Sequence, residues 1–453
     1  MNIDCIVAEI GSTTTVVNAF DFSKQPHFLG RGLSHTTVES DVSTGLKNAM
    51  NHLKEILQTA SLDVEHFIAT SSAAGGLRMC VSGLVYDMTV RAAKEAALNA
   101  GANLHLVTAG NLDEDDLEQI EAIRPNIMLV AGGTDYGEKS VAFNNLLAIA
   151  DLKLDIPLIY AGNVENHYKI NKTFKDHSQG KHISIVENVY PRVDFMNIAP
   201  LRKVIYETFE AHIVEAKGMH TIRDMVTGSI MPTPGSVMES TMVLHRMIGN
   251  VMVIDVGGAT TDVHSVTEPS DEFKIYLEGE PKEKRTVEGD LGVYVNLKHV
   301  VSTMDKARVL KRLKMDEATF DELVETTPQI PESEAQKALV EQVCAVCVER
   351  ALLRHVGDKR KVYTSSGQKV IPEGRDATQV NTIVLTGGAL LHARDAESIV
   401  RNVLKRNPES LLPHPECRVV KDKDYILSSA GVLSLSHENE AQAIIRQSLN
   451  IKG

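Results

Sequence analysis

Val251-Met252-Val253-Ile254-Asp255-Val256-Gly257-Gly258-Ala259-Thr260-Thr261-Asp262-Val263-His264-Ser265-Val266 decides the reading of this chain. An apolar, β-branched run ends on an aspartate, turns on glycines and threonines, and returns as a second β-branched run. That pattern predicts a β-hairpin. The arrangement recurs near the other end as Cys5-Ile6-Val7-Ala8-Glu9-Ile10-Gly11-Ser12-Thr13-Thr14-Thr15-Val16-Val17-Asn18-Ala19-Phe20. Glycine lets a backbone approach a phosphate, and amide hydrogens and hydroxyls donate to it. Two such turns, one per half, would grip a polyphosphate from both sides.

Outward from these turns, 453 residues allow several domains with well-buried cores. The formal charge of −13 and the absence of tryptophan argue against nucleic acid as a partner. Five cysteines without a regular framework suit a reducing compartment. No leader pattern and no run of roughly 18 apolar residues stands out, so the chain reads as cytoplasmic, with no membrane partner.

Further elements follow from periodicity. A helix is expected from Val42 to Thr59 behind an Asp41 cap, and another over Thr89–Ala100 closed by Gly101. Ser71 to Gly76 reads as a small-residue turn, and Pro232-Thr233-Pro234-Gly235 as a turn between halves. Pro269–Asp290 reads as a solvated hairpin insert, and Glu440–Leu449 as a surface helix. Asn126–Gly133 parallels Asn381–Gly388: each is an apolar strand ending in Gly-Gly, a similar distance after its hairpin. Two similar α/β domains facing each other across a cleft are inferred. The expected boundaries are 1–245, 246–435 and a C-terminal helix at 436–453.

These ordered elements resemble the actin-like ATPase superfamily of sugar kinases and large heat-shock chaperones. The resemblance implies an actin-like fold: two ribonuclease H-like domains with mixed sheets around a nucleotide cleft. It implies that Gly11, Ser12, Thr13 and Thr14 meet the phosphates from one side, and Gly257, Gly258, Ala259 and Thr260 from the other. Ile383 to Ala389 resembles the adenosine motif, with Gly387, Gly388 and Ala389 against the nucleoside. Ser428-Ser429-Ala430-Gly431 falls where a closely packed connecting helix is expected. ATP or ADP with Mg2+ is the implied cofactor. Asp255 and Glu9 would hold magnesium, through water, as catalytic residues; Glu9 stands where the superfamily usually has aspartate. Asp135, after the first Gly-Gly pair, is a third catalytic candidate. Asp262 is a fourth, weighed equally against bridging its own hairpin.

The stretches Val7–Thr15, Leu129–Gly137, Tyr160–Val164, Val253–Val263 and Glu288–Gly292 resemble the MutL-type accessory proteins of adenosylcobalamin-dependent glutamate (methylaspartate) mutase. That likeness implies an ATP-dependent, chaperone-like accessory or reactivating protein, with glutamate mutase subunits or a related mutase as partner and a homodimer allowed. The Asp-x-His-x-x-Gly cobalt-ligating pattern is absent, so no tightly bound cobalamin is expected. A small-molecule kinase of the same superfamily and a non-hydrolysing scaffold are the rival readings. Cys344 and Cys347, spaced CxxC within an apolar helical pattern, read as core residues; electron transfer through a cluster is the alternative. His35, His167, His245 and His392 show no zinc spacing. Asn163 and Glu165, after a strand end, are not assigned catalysis.

Overall fold

The computed structural model describes residues 1–37, 41–72, 77–176, 182–212, 218–228, 230–365 and 367–451. Of the turn expected over 71–76, residues 73–76 lie outside the described residues. Both glycine-threonine stretches are hairpins: β1 (Asn2–Ile10) with β2 (Thr14–Asp21), and a later pair given below. β3 (His27–His35), α1 (Val42–Ile56) and β4 (Asp63–Ser71) follow. Asp41 caps α1 by accepting from the Ser43 amide at 2.8 Å, as the sequence predicts.

The chain then leaves this sheet for an inserted unit. Its first part is β5 (Leu77–Gly83), α2 (Arg91–Asn99), β6 (Ala102–Ala109), α3 (Glu114–Ile123) and β7 (Ile127–Val130). Next come α4 (Ser140–Asp151), β8 (Leu158–Tyr160), α5 (His167–Asp176), β9 (Ile183–Ile185) and α6 (Ile198–His212). Its five strands are all parallel, in the order β6-β5-β7-β8-β9. After α7 (Met219–Met225), β10 (Ile230–Pro232) returns to pair with β4.

α8 (Thr233–Ile248) leads to the second hairpin, β11 (Val251–Val256) and β12 (Thr261–Val266), and then β13 (Glu283–Glu288). Helices α9 (Leu297–Ser302), α10 (Lys306–Leu313), α11 (Glu317–Thr326) and α12 (Glu334–His355) pack on that sheet. β14 (Asp358–Thr364) and β15 (Gly367–Glu373) form a separate two-stranded arm. β16 (Thr382–Thr386), α13 (Gly388–His392), α14 (Ala396–Arg406), β17 (Arg418–Lys421), α15 (Leu427–Ser434) and α16 (Glu438–Ser448) complete the chain.

The sheets β3-β2-β1-β4-β10 and β13-β12-β11-β16-β17 match strand for strand. In each, an antiparallel three-strand meander is extended on its first strand by two parallel strands. This duplicated mixed sheet is the actin-like architecture expected above. The structural repeat lies elsewhere than the paired glycines suggest, however. β16 pairs with its own hairpin strand β11, but β7 pairs with β5 and β8 in the inserted sheet. The counterpart of β16 in the first half is β4, which ends in Ser71 rather than in paired glycines.

α8 and α15 join the halves. A Cβ on Gly431 would lie 1.7 Å from the Ser236 carbonyl oxygen, so only glycine permits this crossing. Ser236 and Ser428 share a 3.0 Å hydrogen bond there. Three further readings need correction. Pro232–Gly235 opens a helix instead of a turn, because Pro234 occupies the first helical turn, where its missing N–H costs nothing. The 269–290 stretch is no solvated insert: Phe273 is buried, Lys274–Tyr276 is a short 3-10 turn, and β13 is a full sheet member with Arg285 wholly buried. The C-terminal helix is not superficial, since Ala441, Ile444 and Ile445 bury their side chains with α8 and α15.

Candidate functional site

The two hairpins carry the same tight turn. The Gly11 amide donates to the Thr14 carbonyl at 3.1 Å, and the Gly257 amide to the Thr260 carbonyl at 2.9 Å. The turns also meet: a Cβ on Gly258 would lie 3.4 Å from both the Thr13 methyl and its hydroxyl. Thus the sequence-predicted phosphate loops come together from the two halves of the chain.

Beside the turns stand four carboxylates, those of Glu9, Asp255, Asp262 and Asp422. Burial is the first reason that the Asp255 carboxyl is pushed well above its ordinary range; the charges of Asp262, Glu9 and Asp422 follow. Glu9 is pushed up to about 7, again by burial first, with Asp422 adding to it and the hydroxyls of Ser428 and Tyr425 offsetting it. The Tyr425 hydroxyl donates to Glu9 Oε1 at 3.4 Å. Asp422 escaped the sequence reading because no motif surrounds it. It accepts from the Ile426 and Leu427 amides at 2.9 and 3.0 Å and from the Thr386 hydroxyl at 3.0 Å, fixing the start of α15 beside the end of β16.

Asp262 lies directly across the ladder from Asp255. It is paired with the buried Arg285 guanidinium at 2.5 Å and accepts from the Thr260 hydroxyl at 2.9 Å. Arg285 also donates to the Leu98 and Ala102 carbonyls at 3.0 and 2.9 Å, tying this hairpin to the end of α2 in the inserted unit. The expected adenosine residues adjoin the same carboxylates. Gly387 has φ +86°, and a Cβ there would lie 2.5 Å from Asp255 Oδ1; a Cβ on Gly388 would meet nothing within 4 Å. Ala389 packs against the core of the second sheet.

Magnesium fits this donor set. Among the described residues Glu9 Oε2 is buried without a hydrogen-bond partner, and Asp255 is half-buried at the end of β11. Among the described residues no group of three or more His, Cys, Asp or Glu side chains is placed to hold a metal ion. Magnesium requires no such cage, because it binds through one or two carboxylates, phosphate and retained waters.

The structure does not bring Asp135 to these residues. It follows β7 in the inserted sheet, where its carboxylate accepts from the Val164 amide at 3.0 Å and the Asn188 side chain at 2.9 Å. Its neighbour Asn163 is wholly buried and holds the same loops. Cys344 and Cys347 are buried in the core of α12, and burial pushes the Cys347 thiol up to about 12 and Cys344 higher still, so neither presents a thiolate. No described helix is long and apolar enough to cross a membrane.

Among solved structures, the nucleotide-free diol dehydratase-reactivating factor is 10% identical at TM-score 0.41, covering 96% of this chain and 99% of that one. A ROK family glucokinase from Streptomyces griseus, with glucose and AMPPNP, is 10% identical at TM-score 0.36, covering 96% and 99%. "Protein MutL" of Clostridium tetanomorphum is 34% identical over 461 residues, which cover 98% of each chain. The family model described as "MutL protein" matches residues 5–449. With a match of that length and a relative of that identity, this chain belongs to the MutL protein family.

Proposed function

We propose that this protein is an ATP-dependent accessory protein for adenosylcobalamin-dependent glutamate mutase or a related mutase. The observation that carries the nucleotide part is the meeting of the two glycine-threonine turns beside Glu9 and Asp255. The client follows from family membership and the sequence resemblance. With the Gly11 and Gly257 amides closing the two turns, the remaining amides and hydroxyls of Gly11 to Thr14 and of Gly257 to Thr260 would donate to the phosphates from opposite sides. Gly387, Gly388 and Ala389 let the chain lie against adenosine. Glu9 and Asp255 would hold hydrated magnesium, which when bound neutralises charge developing on the phosphates. Tyr425 and Asp422 position Glu9 and α15. Parting and closing of the turns about nucleotide would reshape the outer surfaces and so remodel the mutase or exchange damaged cofactor.

The test follows ATP hydrolysis by the purified protein, with and without inactivated glutamate mutase and free adenosylcobalamin. Stimulated hydrolysis together with restored mutase activity is the expected result. ATP binding with neither effect removes this client.

A further inference from the structure

The strand order β6-β5-β7-β8-β9 gives the inserted sheet a definite functional edge. Numbered along the chain, it is the 2-1-3-4-5 order of doubly wound folds, whose ligands sit beyond the carboxyl ends of the strands, where the strand order reverses between β5 and β7. Here that crevice is filled by its own loops. A Cβ on Gly133 would lie 1.7 Å from the Glu138 carbonyl oxygen. The wholly buried Asn163 side chain donates to the Gly137 and Glu138 carbonyls at 3.2 Å and accepts from the Glu165 amide at 3.0 Å. Asn188 donates to the Gly133 carbonyl at 3.0 Å.

The rim of this filled crevice is instead an exposed apolar crest. Tyr136 is 82% exposed, Tyr168 80%, Val193 62% and Tyr86 58%, with Phe195 and Val164 also exposed. Each follows the carboxyl end of β5, β7, β8 or β9. Hydrogen bonds knit the loops into one surface: the Asp135 amide donates to the Pro191 carbonyl at 2.9 Å, and the Tyr136 amide to Asn163 Oδ1 at 3.3 Å. Tyr136 has φ +63° and Asp194 φ +58°. A bulky residue held in the left-handed region and turned to solvent is strain that packing alone does not call for. Rigid, exposed tyrosines on a latched backbone lose little entropy on association and are favoured anchors of protein interfaces.

Charge identifies the occupant. Asp113, Glu114 and Asp115 at the start of α3, with Glu138 and Glu187, surround the crest with exposed acids. Of the exposed cations nearby, Lys139 is paired with Glu165 at 3.2 Å, Lys169 lies over the Phe143 ring at 3.6 Å and Arg192 over the Phe195 ring at 4.8 Å, with Lys172 beside them, so the acids named outnumber the cations left unpaired. A second copy of the chain would bring acids against acids, which costs binding energy. We infer that the carboxyl edge of the inserted parallel sheet is the docking surface for a different protein, one with an apolar centre and a basic rim. This surface is argued independently of the proposed client.

The test places photoreactive benzoylphenylalanine at position 168 of the full chain in its native cells, then purifies the cross-linked partner. The expected result is one heterologous protein that binds the wild-type chain with salt-sensitive affinity. Tyr136→Asn with Tyr168→Ala, which keeps a residue tolerant of the left-handed conformation at 136, weakens that binding at least tenfold and leaves nucleotide binding unchanged. The control Tyr363→Ala, on the exposed β14–β15 arm, leaves it intact. No adduct, an adduct only with a second copy, or affinity unmoved by the double variant overturns the proposal. If the adduct is not a mutase, the docking surface stands and the client reading is decided by the hydrolysis and reactivation assay above. If a mutase binds the double variant as tightly as the wild-type chain, the docking surface falls and the client reading stands.

Discussion

The two hairpins share a turn and a strand pattern yet are held in opposite ways. Glu9, at the end of the first, faces Val16 across the ladder and keeps a buried oxygen without a hydrogen-bond partner among the described residues. Asp255, at the end of the second, faces another carboxylate, Asp262, and that one is locked to buried Arg285. The second turn is also covered: Asn296 donates to the Ala259 carbonyl at 2.8 Å, and the Tyr294 and Val295 amides donate to the Gly258 carbonyl at 2.9 Å. Two copies of one motif have therefore divided the work. The second fixes negative charge in place, and the first leaves an acceptor free for something not supplied by the fold.

The sharpest way to break this division is Asp255→Asn. ATP turnover should fall by about 10²–10³-fold, the usual loss when a group that organises transition-state charge is removed. Glu9→Gln should cost visibly less in the same assay; equal losses would make the hairpins equivalent. Next is Arg285→Met, which leaves Asp262 buried and unpaired. Unfolding in urea should show a loss of about 3–5 kcal/mol, and a neutral result would mean the lock holds nothing.

Titration gives a third comparison, free of nucleotide. The Glu9 carboxyl is raised in the folded state, so the fold binds its proton more tightly than the unfolded chain does. Its penalty on stability is absent below the ordinary value of 4.5 and grows as pH rises to about 7. Glu9→Gln should therefore stabilise the magnesium-free protein at pH 8, by about 1–2 kcal/mol, with the gain gone at pH 4. The second hairpin carries the opposite sign through His264, whose imidazole burial holds well below 6.5. Its contribution is present above pH 6.5 and lost as pH falls below it, so His264→Gln should flatten the acid limb of a stability–pH curve.

The smallest contrast lies in the turns. A Cβ on Gly11 would lie 2.6 Å from the Thr14 carbonyl oxygen, whereas one on Gly258 finds ordinary contact at 3.4 Å. Gly11→Ala should cost about 1–3 kcal/mol and Gly258→Ala under about 0.5 kcal/mol in thermal unfolding. The reverse order would mean that the covered turn is the stiffer one.

How much of this was legible depends on whether a feature is local. The hairpins, the Asp41 cap and the capping box of Asp113 with Asp116 are written in neighbouring residues, and the structure keeps them. The burial of α16 had a signal too, in the spacing of Ala441, Ile444, Ile445 and Leu449. β13 is hidden in the sequence because Glu283, Lys284, Arg285 and Glu288 read as solvated; Asp262 on the adjacent strand and the Leu98 and Ala102 carbonyls make Arg285 a core residue. The repeat was misplaced because Gly132-Gly133 imitates Gly387-Gly388, while the true counterpart ends in serine. Asp135 follows that imitation and stands after β7 of the inserted sheet. Asp422 joins the site only through strand pairing, since β17 becomes the neighbour of β16 in three dimensions.

The inserted unit enters and leaves the chain through the first sheet, yet its α2 is fastened to the second. Arg285 grips the Leu98 and Ala102 carbonyls, Asn99 donates to the Glu283 carbonyl at 3.2 Å, and Arg91 pairs with Glu280. It therefore acts as a tie-rod between the lobes. Any parting of the two turns must drag this unit along or break the buried Arg285 hydrogen bonds to the Leu98 and Ala102 carbonyls, so the lobes should pivot about the rod rather than draw straight apart.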